Sequence, residues 1–586
     1  MKYKGRTVLT ASVVTTVFIG LGVRLAFLHL RPSPATLSRI ETGRRLEQEI
    51  RGSRGRILDR DGQILALDIA AKHICADPKF ILEHGDIQAV TEALSTHLTS
   101  LRRSEIHQML DQPDRQYVRI QKYAREQTVE PLRSLHLKGL IFEDVPIREY
   151  PKGVLGAHVI GFANFEGVGS AGIEQRMNSY LQGSTGLRVS QKDGRRREIY
   201  SRRTVDIEPQ AGADVYLTID QQIQHFTEKA LDRMNEKFRP KAAWAIVQRV
   251  KTGEILAMAS LPTYDPNRFG QAPVEWMRNR AINYTYEPGS TMKAVIIASA
   301  LDQGAVRPTD IFDCEKGAWY YGGRILHDSH PEGLLSVADI LKKSSNIGAA
   351  KVALQMGNDK VYESLRNFGF SARTGIDLPG EDAGIVWPTD RWSKISITRI
   401  AMGHEVLVTS MQILSSISTI ANDGIRMRPL IVRRVVDAKG ETIFEPLPEE
   451  LGRPIGPETA QLMRRLLARV TQPGGTGTKA AVRGYLVGGK TGTAQKVNLD
   501  EGGYYSHRYI ASFVGFLPVE NPEISIIVVA DDPQQGGHYG GTVCGPYFQE
   551  IADQTARYLR IPPEGFTTEY LSDMLEPEED LKNPLD

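Results

Sequence analysis

Cysteine is almost missing from this 586-residue chain. Cys75, Cys314 and Cys544 are odd in number and far apart, so they define neither a disulfide framework nor a metal cluster, and buried thiols are the expected state. There is no HExxH and no carboxylate–histidine spacing that would hold a metal. His327, His330, His507 and His538 are expected in loops, solvated or structural, and no metal or cofactor is expected. Net charge is nearly absent too, with 72 Lys plus Arg against 70 Asp plus Glu, which predicts no polyanionic partner. Residues 1–60 are locally basic, twelve against four, but no recognition helix or aromatic platform accompanies them, so nucleic acid is not expected to bind. Long apolar runs are scarce as well. Only Val8–Val23 qualifies, continued beyond Arg24 by Leu25-Ala26-Phe27-Leu28. With Arg24 snorkelling, roughly 20 residues span the hydrocarbon layer. Lys2, Lys4 and Arg6 ahead of the run favour a cytoplasmic N-terminus, against which Arg24 and Arg31 count. A cleaved signal peptide is the rival, but no convincing small-x-small site follows the run, Pro32-Ser33-Pro34-Ala35 coming nearest to one. The run is long for such a peptide, so an uncleaved anchor is expected, with everything after residue 30 outside the cytoplasm.

The chain is too long for one core, so several domains are expected. The pattern divides it into 1–34, a cytoplasmic stub and anchor; 35–219, an accessory region; 220–560, the main domain; and 561–586, an acidic disordered tail. Residues 35–60 read as a helical stalk turning at Arg51–Gly55, and Arg56–Ala66 as a hairpin about Asp61-Gly62. Residues 85–140 read as helical, Gly172–Leu181 as a helix, and Ala213–Asp220 as a strand ending in a helix cap. Trp244–Val250 and Ile255–Ala259 form a second hairpin; its turn, Lys251-Thr252-Gly253, only resembles the motif discussed below. Helical patterns dominate 290–370 and 405–423. Strand patterns return at 484–497, 509–517 and 523–531, and 532–548 reads as a mobile Gly-rich loop. The fold class is therefore mixed α/β (α+β): a mixed sheet with a helical subdomain.

Three short motifs carry the chemistry. Ser290-Thr291-Met292-Lys293 follows the loop Glu287-Pro288-Gly289 and opens a helix, so Ser290 sits at a helix N-terminus that favours developing negative charge, with Lys293 on its face. Burial and a second cation would lower the Lys293 pKa enough for it to take the serine proton. Ser344-Ser345-Asn346 lies between two helical runs. Ser344 suits a proton relay, and Asn346 suits bonding to Lys293 and a substrate amide. Lys490-Thr491-Gly492-Thr493 lies in a strand whose edge accepts an extended peptide by strand addition. There Lys490 and Thr491 meet a carboxylate, Gly492 leaves room for substrate backbone, and the N–H groups of Ser290 and Thr493 form an oxyanion hole. Taken singly, the serine motifs are helix caps and the lysines solvated. Gly484 to Thr491 also fits the Walker A spacing, but the expected continuation is strand rather than helix.

With these motifs in this order, the chain resembles the class B penicillin-binding proteins, monofunctional peptidoglycan D,D-transpeptidases. Arg54–Gly62, Gly169–Glu174 and Leu181-Gln182-Gly183 are similar to that family's pedestal motifs. Tyr286–Ser290 and Ala511–Phe516 are similar to its active-site surroundings. The resemblance implies a penicillin-binding transpeptidase fold over 220–560, an antiparallel sheet flanked by helices with a helical subdomain, behind an elongated pedestal, or dimerisation-like, domain over 35–219. It implies Ser290 as acylated nucleophile, Lys293 as general base, Ser344 and Asn346 as relay and orienter, and Lys490, Thr491 and Thr493 as the carboxylate-binding and oxyanion strand. It also implies stem peptides ending in D-Ala-D-Ala as substrates and beta-lactams as covalent inhibitors. Partners would be a multispanning membrane glycosyltransferase and divisome regulators, since no glycosyltransferase domain is expected ahead of the pedestal. Gly477–Lys496 and the Tyr-containing segment 504–509 resemble the septal type more than the elongation type, while Met402-Gly403-His404-Glu405 departs from the glycine-rich helix start usual there. A D,D-carboxypeptidase and a membrane-bound beta-lactam sensor stay open as alternatives.

Overall fold

The computed structural model describes residues 2–30, 33–192, 198–498 and 501–564. The expected tail lies outside the described residues from 565 onward. The chain divides into two compact units: Met1–Ser53 with Gly183–Gly212, and Arg54–Gln182 with the chain from Ala213 onward.

In the first unit, helix Lys2–Leu30 carries an apolar stretch from Gly5 to Leu30, none of it buried and long enough to cross a bilayer. Helix Pro34–Arg44 follows. The chain then becomes strand at Arg45–Ile50, antiparallel to Gly186–Lys192, which also pairs with Glu198–Ile199 and Val205–Ile207. The helical stalk expected over 35–60 is thus corrected beyond Arg44. Its partner strand lies far along the chain, and no local pattern reveals such a pairing.

In the second unit, the hairpin about Asp61-Gly62 forms as expected, with Ile57 opposite Ala66. It is part of a seven-stranded sheet. The order is Thr442–Phe444, Val432–Val436, Asp214–Leu217, Ile57–Leu58, Ile64–Ala76 and Val118–Arg125, and Leu140–Glu149 also pairs with Ile64–Ala76. Strands from both sides of residue 219 therefore share one sheet. Helices Ile87–His97, Arg103–Leu110 and Glu126–Ser134 cover a small core of Ile74, Ile81, Leu94, Ile106 and Val129. The helix expected over Gly172–Leu181 is two, Gly172–Arg176 and Asn178–Leu181, broken at Met177. The Asn178 side chain is drawn off to accept from Arg54 Nη1 at 2.8 Å and the Gly169 N–H at 2.9 Å. Beside that break, the wholly buried Glu174 carboxylate accepts from Arg54 Nε and Arg148 Nε, each at 2.6 Å, and from Tyr150 Oη at 3.2 Å.

The main sheet is antiparallel and five-stranded: β1 Pro240–Arg249, β2 Ile255–Leu261, β3 Gly488–Val497, β4 Tyr504–Leu517 and β5 Ile524–Pro533, in the order β2-β1-β5-β4-β3. β1 alternates with period two, yet both of its faces are buried. Ala243, Ala245 and Val247 face a core shared with α1 (Gln221–Phe238) and α5 (Gly545–Tyr558); Trp244 and Ile246 face a second core. Asp220 caps α1 by accepting from the N–H groups of Gln222 and Ile223. Against the second face packs α4 (Ser410–Ala421); α2 (Met292–Asp302) packs on α4, and α3 (Asn346–Met356) on α2, within the same core. Every residue of α2 from Met292 to Ala300 is buried, so α2 is a central helix, apolar all round over that stretch except at Lys293 and Ser299.

The helices that dominate 290–370 are interrupted by two short strand pairs, Ile311–Asp313 with Leu334–Ser336 and Ala318–Tyr321 with Arg324–His327. One expectation fails here: the loop expected over 532–548 is helical from Gly540, as Gly540–Val543 and then α5. Gly540 is there because its backbone lies on the sheet: a Cβ would stand 2.2 Å from Ser512 O and 2.3 Å from Gly492 O. His507 likewise lies on β4 and His327 ends a short strand, rather than in loops.

Candidate active site

A single turn of 3-10 helix, Gly289–Thr291, leads into α2 and sets Ser290, half-buried, at its entrance. One turn on, Lys293 Nζ lies 3.1 Å from Ser290 Oγ. The same ammonium donates to Asn346 Oδ1 at 2.7 Å and to the Ser344 carbonyl at 2.5 Å, and stands 3.3 Å from Ser344 Oγ. Because α2 is buried on all sides, Lys293 has no water to solvate its charge, and burial pushes its pKa down to about 7.

Ser344 adopts a left-handed conformation, φ 64°, at the end of helix Val337–Lys343; Ser345 caps α3 by accepting from Gly348 N–H at 2.9 Å. Asp328 holds this junction. Its carboxylate accepts from the Asn346 N–H, from the Ile347 N–H at 3.0 Å, and from Ser345 Oγ at 2.7 Å. Asn346 Nδ2 donates to the His327 carbonyl at 2.8 Å, which leaves its Oδ1 facing Lys293. Asp328 was not among the candidates read from sequence. It sits in a polar loop with no spacing relation to the serines, and only the three-dimensional path of the Arg324–His327 strand delivers it.

From the other side comes β3, the edge strand, with Lys490 opposite Val514 and Gly492 opposite Ser512. Lys490 is wholly buried, and its ammonium lies 2.8 Å from Ser344 Oγ. Burial first, and the Lys293 charge second, hold its pKa well below the ordinary lysine value. Ser344 Oγ thus stands between two amines. Thr491 Oγ1 lies 2.9 Å from Thr476 Oγ1, and Thr493 Oγ1 accepts from the Gly540 N–H at 3.0 Å. All the residues picked from sequence, Ser290, Lys293, Ser344, Asn346, Lys490, Thr491, Gly492 and Thr493, lie on the elements that meet here. The look-alike Lys251-Thr252-Gly253 falls in the β1–β2 turn, and Lys490-Thr491 continues as strand, without the helix a P-loop needs.

A hydroxyl at a helix entrance, bonded to a buried amine that is half neutral near pH 7 and flanked by an open strand edge, is the equipment of serine acyl transfer to and from extended peptides. The comparisons narrow the class. Residues 243–553 match the family model of the penicillin binding protein transpeptidase domain, and 49–217 that of the penicillin-binding protein dimerisation domain. The chain is 33% identical to the peptidoglycan D,D-transpeptidase FtsI of Escherichia coli strain K12, over 89% of this chain and 86% of that one. It is also 33% identical to the probable peptidoglycan D,D-transpeptidase PenA of Neisseria gonorrhoeae, over 88% and 86%. Among solved structures, penicillin binding protein 3 of Mycobacterium tuberculosis complexed with aztreonam superposes with a TM-score of 0.70 at 27% identity, covering 88% of this chain and 98% of that one. The chain belongs to the class B penicillin-binding proteins, transpeptidase enzymes held to the membrane by one apolar helix.

Proposed function

We propose that this protein is a peptidoglycan D,D-transpeptidase that acts in septal wall synthesis through an acyl-enzyme on Ser290. The observation that carries the reading is the chain of contacts Ser290 Oγ–Lys293 Nζ–Ser344 Oγ–Lys490 Nζ beside the free edge of β3. A stem peptide ending in D-Ala-D-Ala lies along β3, its terminal carboxylate at Lys490 and Thr491. Neutral Lys293 takes the Ser290 proton as Oγ attacks the penultimate carbonyl, and the N–H groups of Ser290 and Thr493 receive the oxyanion. Ser344, between the two amines, passes a proton to the nitrogen of the departing D-Ala as the C–N bond breaks. An amine of a neighbouring stem then attacks the ester carbonyl, a new amide forms, and the proton returns to Ser290. A beta-lactam enters as the donor does and stops after the first half.

The division of labour proposed is an anchor over 1–34, a pedestal over 35–219 and the transpeptidase over 220–560. Similarity to FtsI supports the septal assignment. A multispanning membrane glycosyltransferase and divisome regulators are the proposed partners, supplying glycan and timing.

Intact-protein mass after incubation with penicillin tests the first half: one adduct on the wild type, none on folded Ser290→Ala. Donor and acceptor stem peptides test the second, with a crosslinked dimer expected. Release of D-Ala without dimer makes the enzyme a carboxypeptidase and overturns the transfer step.

A further inference from the structure

The loop that carries Ser290 is tied to the rest of the cleft by one side chain that none of the three motifs contains. Glu287 is buried, with 8% of its surface exposed, three residues ahead of Ser290. Its Oε1 accepts from the Glu405 N–H at 2.8 Å and from Tyr504 Oη at 3.1 Å, while Oε2 is enclosed without a hydrogen-bond partner. Tyr504 is the first residue of β4 and pairs with Val497 at the far end of edge strand β3. Its ring is held in place: His404 meets it edge-on at 5.5 Å, and the Arg399 guanidinium stands 5.9 Å from its centre. Behind the loop, the Gly289 N–H donates to the Gly403 carbonyl at 3.2 Å, and a Cβ on Gly403 would stand 2.1 Å from Gly289 O. The 402–405 turn therefore presses on the residue next to Ser290.

Glu405 adds an independent sign. Its backbone is left-handed, φ 59°, a conformation unfavourable for a side-chain-bearing residue that persists only where its surroundings hold it. That conformation presents the Glu405 N–H to Glu287. The turn does not start a helix, as its sequence suggests. It follows helix Ser396–Ala401, and α4 begins only at Ser410.

We infer that Glu287 is a positioning residue for Ser290: through Oε1 it couples the nucleophile loop to the 402–405 turn and, through Tyr504, to the hairpin whose outer strand receives the substrate. A peptide pairing with β3 loads that hairpin, and Glu287 passes the constraint to the loop. The role is geometric, carried by two accepted hydrogen bonds, and the amide oxygen of glutamine serves as well as a carboxylate. The inference rests on the reading of Ser290 as the acylated residue.

The experiment is stopped-flow acylation of the membrane-solubilised full chain by a fluorescent penicillin, separating the pre-covalent dissociation constant K from the acylation rate constant k2. Active sites are counted by the adduct at completion. Glu287→Ala is expected to lower k2 by about 10- to 100-fold with K unchanged, the scale of an ångström-sized misplacement. Tyr504→Phe, which deletes one hydroxyl, lowers k2 in the same sense. Glu287→Gln stays within about threefold of wild type, because its Oε1 still accepts both bonds. Glu405→Gly, which relieves the backbone while keeping the N–H, leaves k2 as it was. An unchanged k2 in Glu287→Ala, or a loss seen in K instead, overturns the inference and leaves Glu287 a buried structural carboxyl; so does a Glu287→Gln as slow as Glu287→Ala. A wild type that forms no adduct overturns the Ser290 reading itself, a result distinct from all of these.

Discussion

Lys293 owes its chemistry to what surrounds it rather than to a partner of opposite charge. Its contacts are a serine hydroxyl, a carbonyl and an amide, none of which carries charge. With its pKa at about 7, the neutral amine that can take a proton gains ground as pH rises through 7, and the ammonium prevails below. The penicillin acylation rate is therefore expected to climb through about pH 7 and level off above it, read as k2 against pH. Lys293→Arg stays protonated throughout and is expected to lose about 10²- to 10⁴-fold. Asp328 acts one layer further out. Asp328→Ala frees two α3 N–H groups and the Ser345 hydroxyl, and is expected to cost about 1–2 kcal/mol of stability by thermal unfolding, as loss of a helix cap does. It also lowers k2, because Asn346 and Ser344 lose the register that faces them toward Lys293.

Among the elements, those with a local period were legible and those made by distant pairing were not. The β1–β2 hairpin, the anchor helix, the α1 cap and the three closing strands announce themselves through alternation, turn residues or an unbroken apolar run. The candidate site residues were legible for the same reason, since Ser290 stands in the turn that leads into the helix of Lys293, and Lys490 to Thr493 share a strand. Strand Arg45–Ile50 was hidden because its partner is remote, and Asp328 and Glu287 because their roles depend on which loops meet. The glycines at 540–545 misled in a different way: they mark close packing of a helix start on the sheet, where flexibility was expected. Gly540→Ala tests that. Both atoms its Cβ would strike are backbone, so the helix start must lift from β3 and β4. A loss of about 1–3 kcal/mol is expected by thermal unfolding, together with slower acylation, since Thr493 forfeits its bond from the 540 N–H.

At the scale of the molecule, the pedestal half of the second unit depends on a buried ionic knot. Glu174 holds both Arg54 and Arg148, all three almost without solvent, and Arg148 also reaches Asp68 at 3.1 Å. Removing the carboxylate charge leaves two guanidinium groups buried with too little compensation. Glu174→Gln is therefore expected to cost about 3–5 kcal/mol, read as a fall in unfolding midpoint, while leaving k2 per folded molecule near wild type. The seven-stranded sheet reaches further, into how the protein is made. Its central strands, Ile57–Leu58 and Asp214–Leu217, emerge early in synthesis, but Val432–Val436, which closes on Asp214–Leu217, comes some two hundred residues later. While the chain is threaded outward across the membrane, that edge waits open, its N–H and C=O groups unclaimed. An anchored chain stopped short of residue 432 would carry the opening permanently, an invitation to envelope proteases and to other nascent chains. Survival during export is thus written into the order in which this sheet receives its strands.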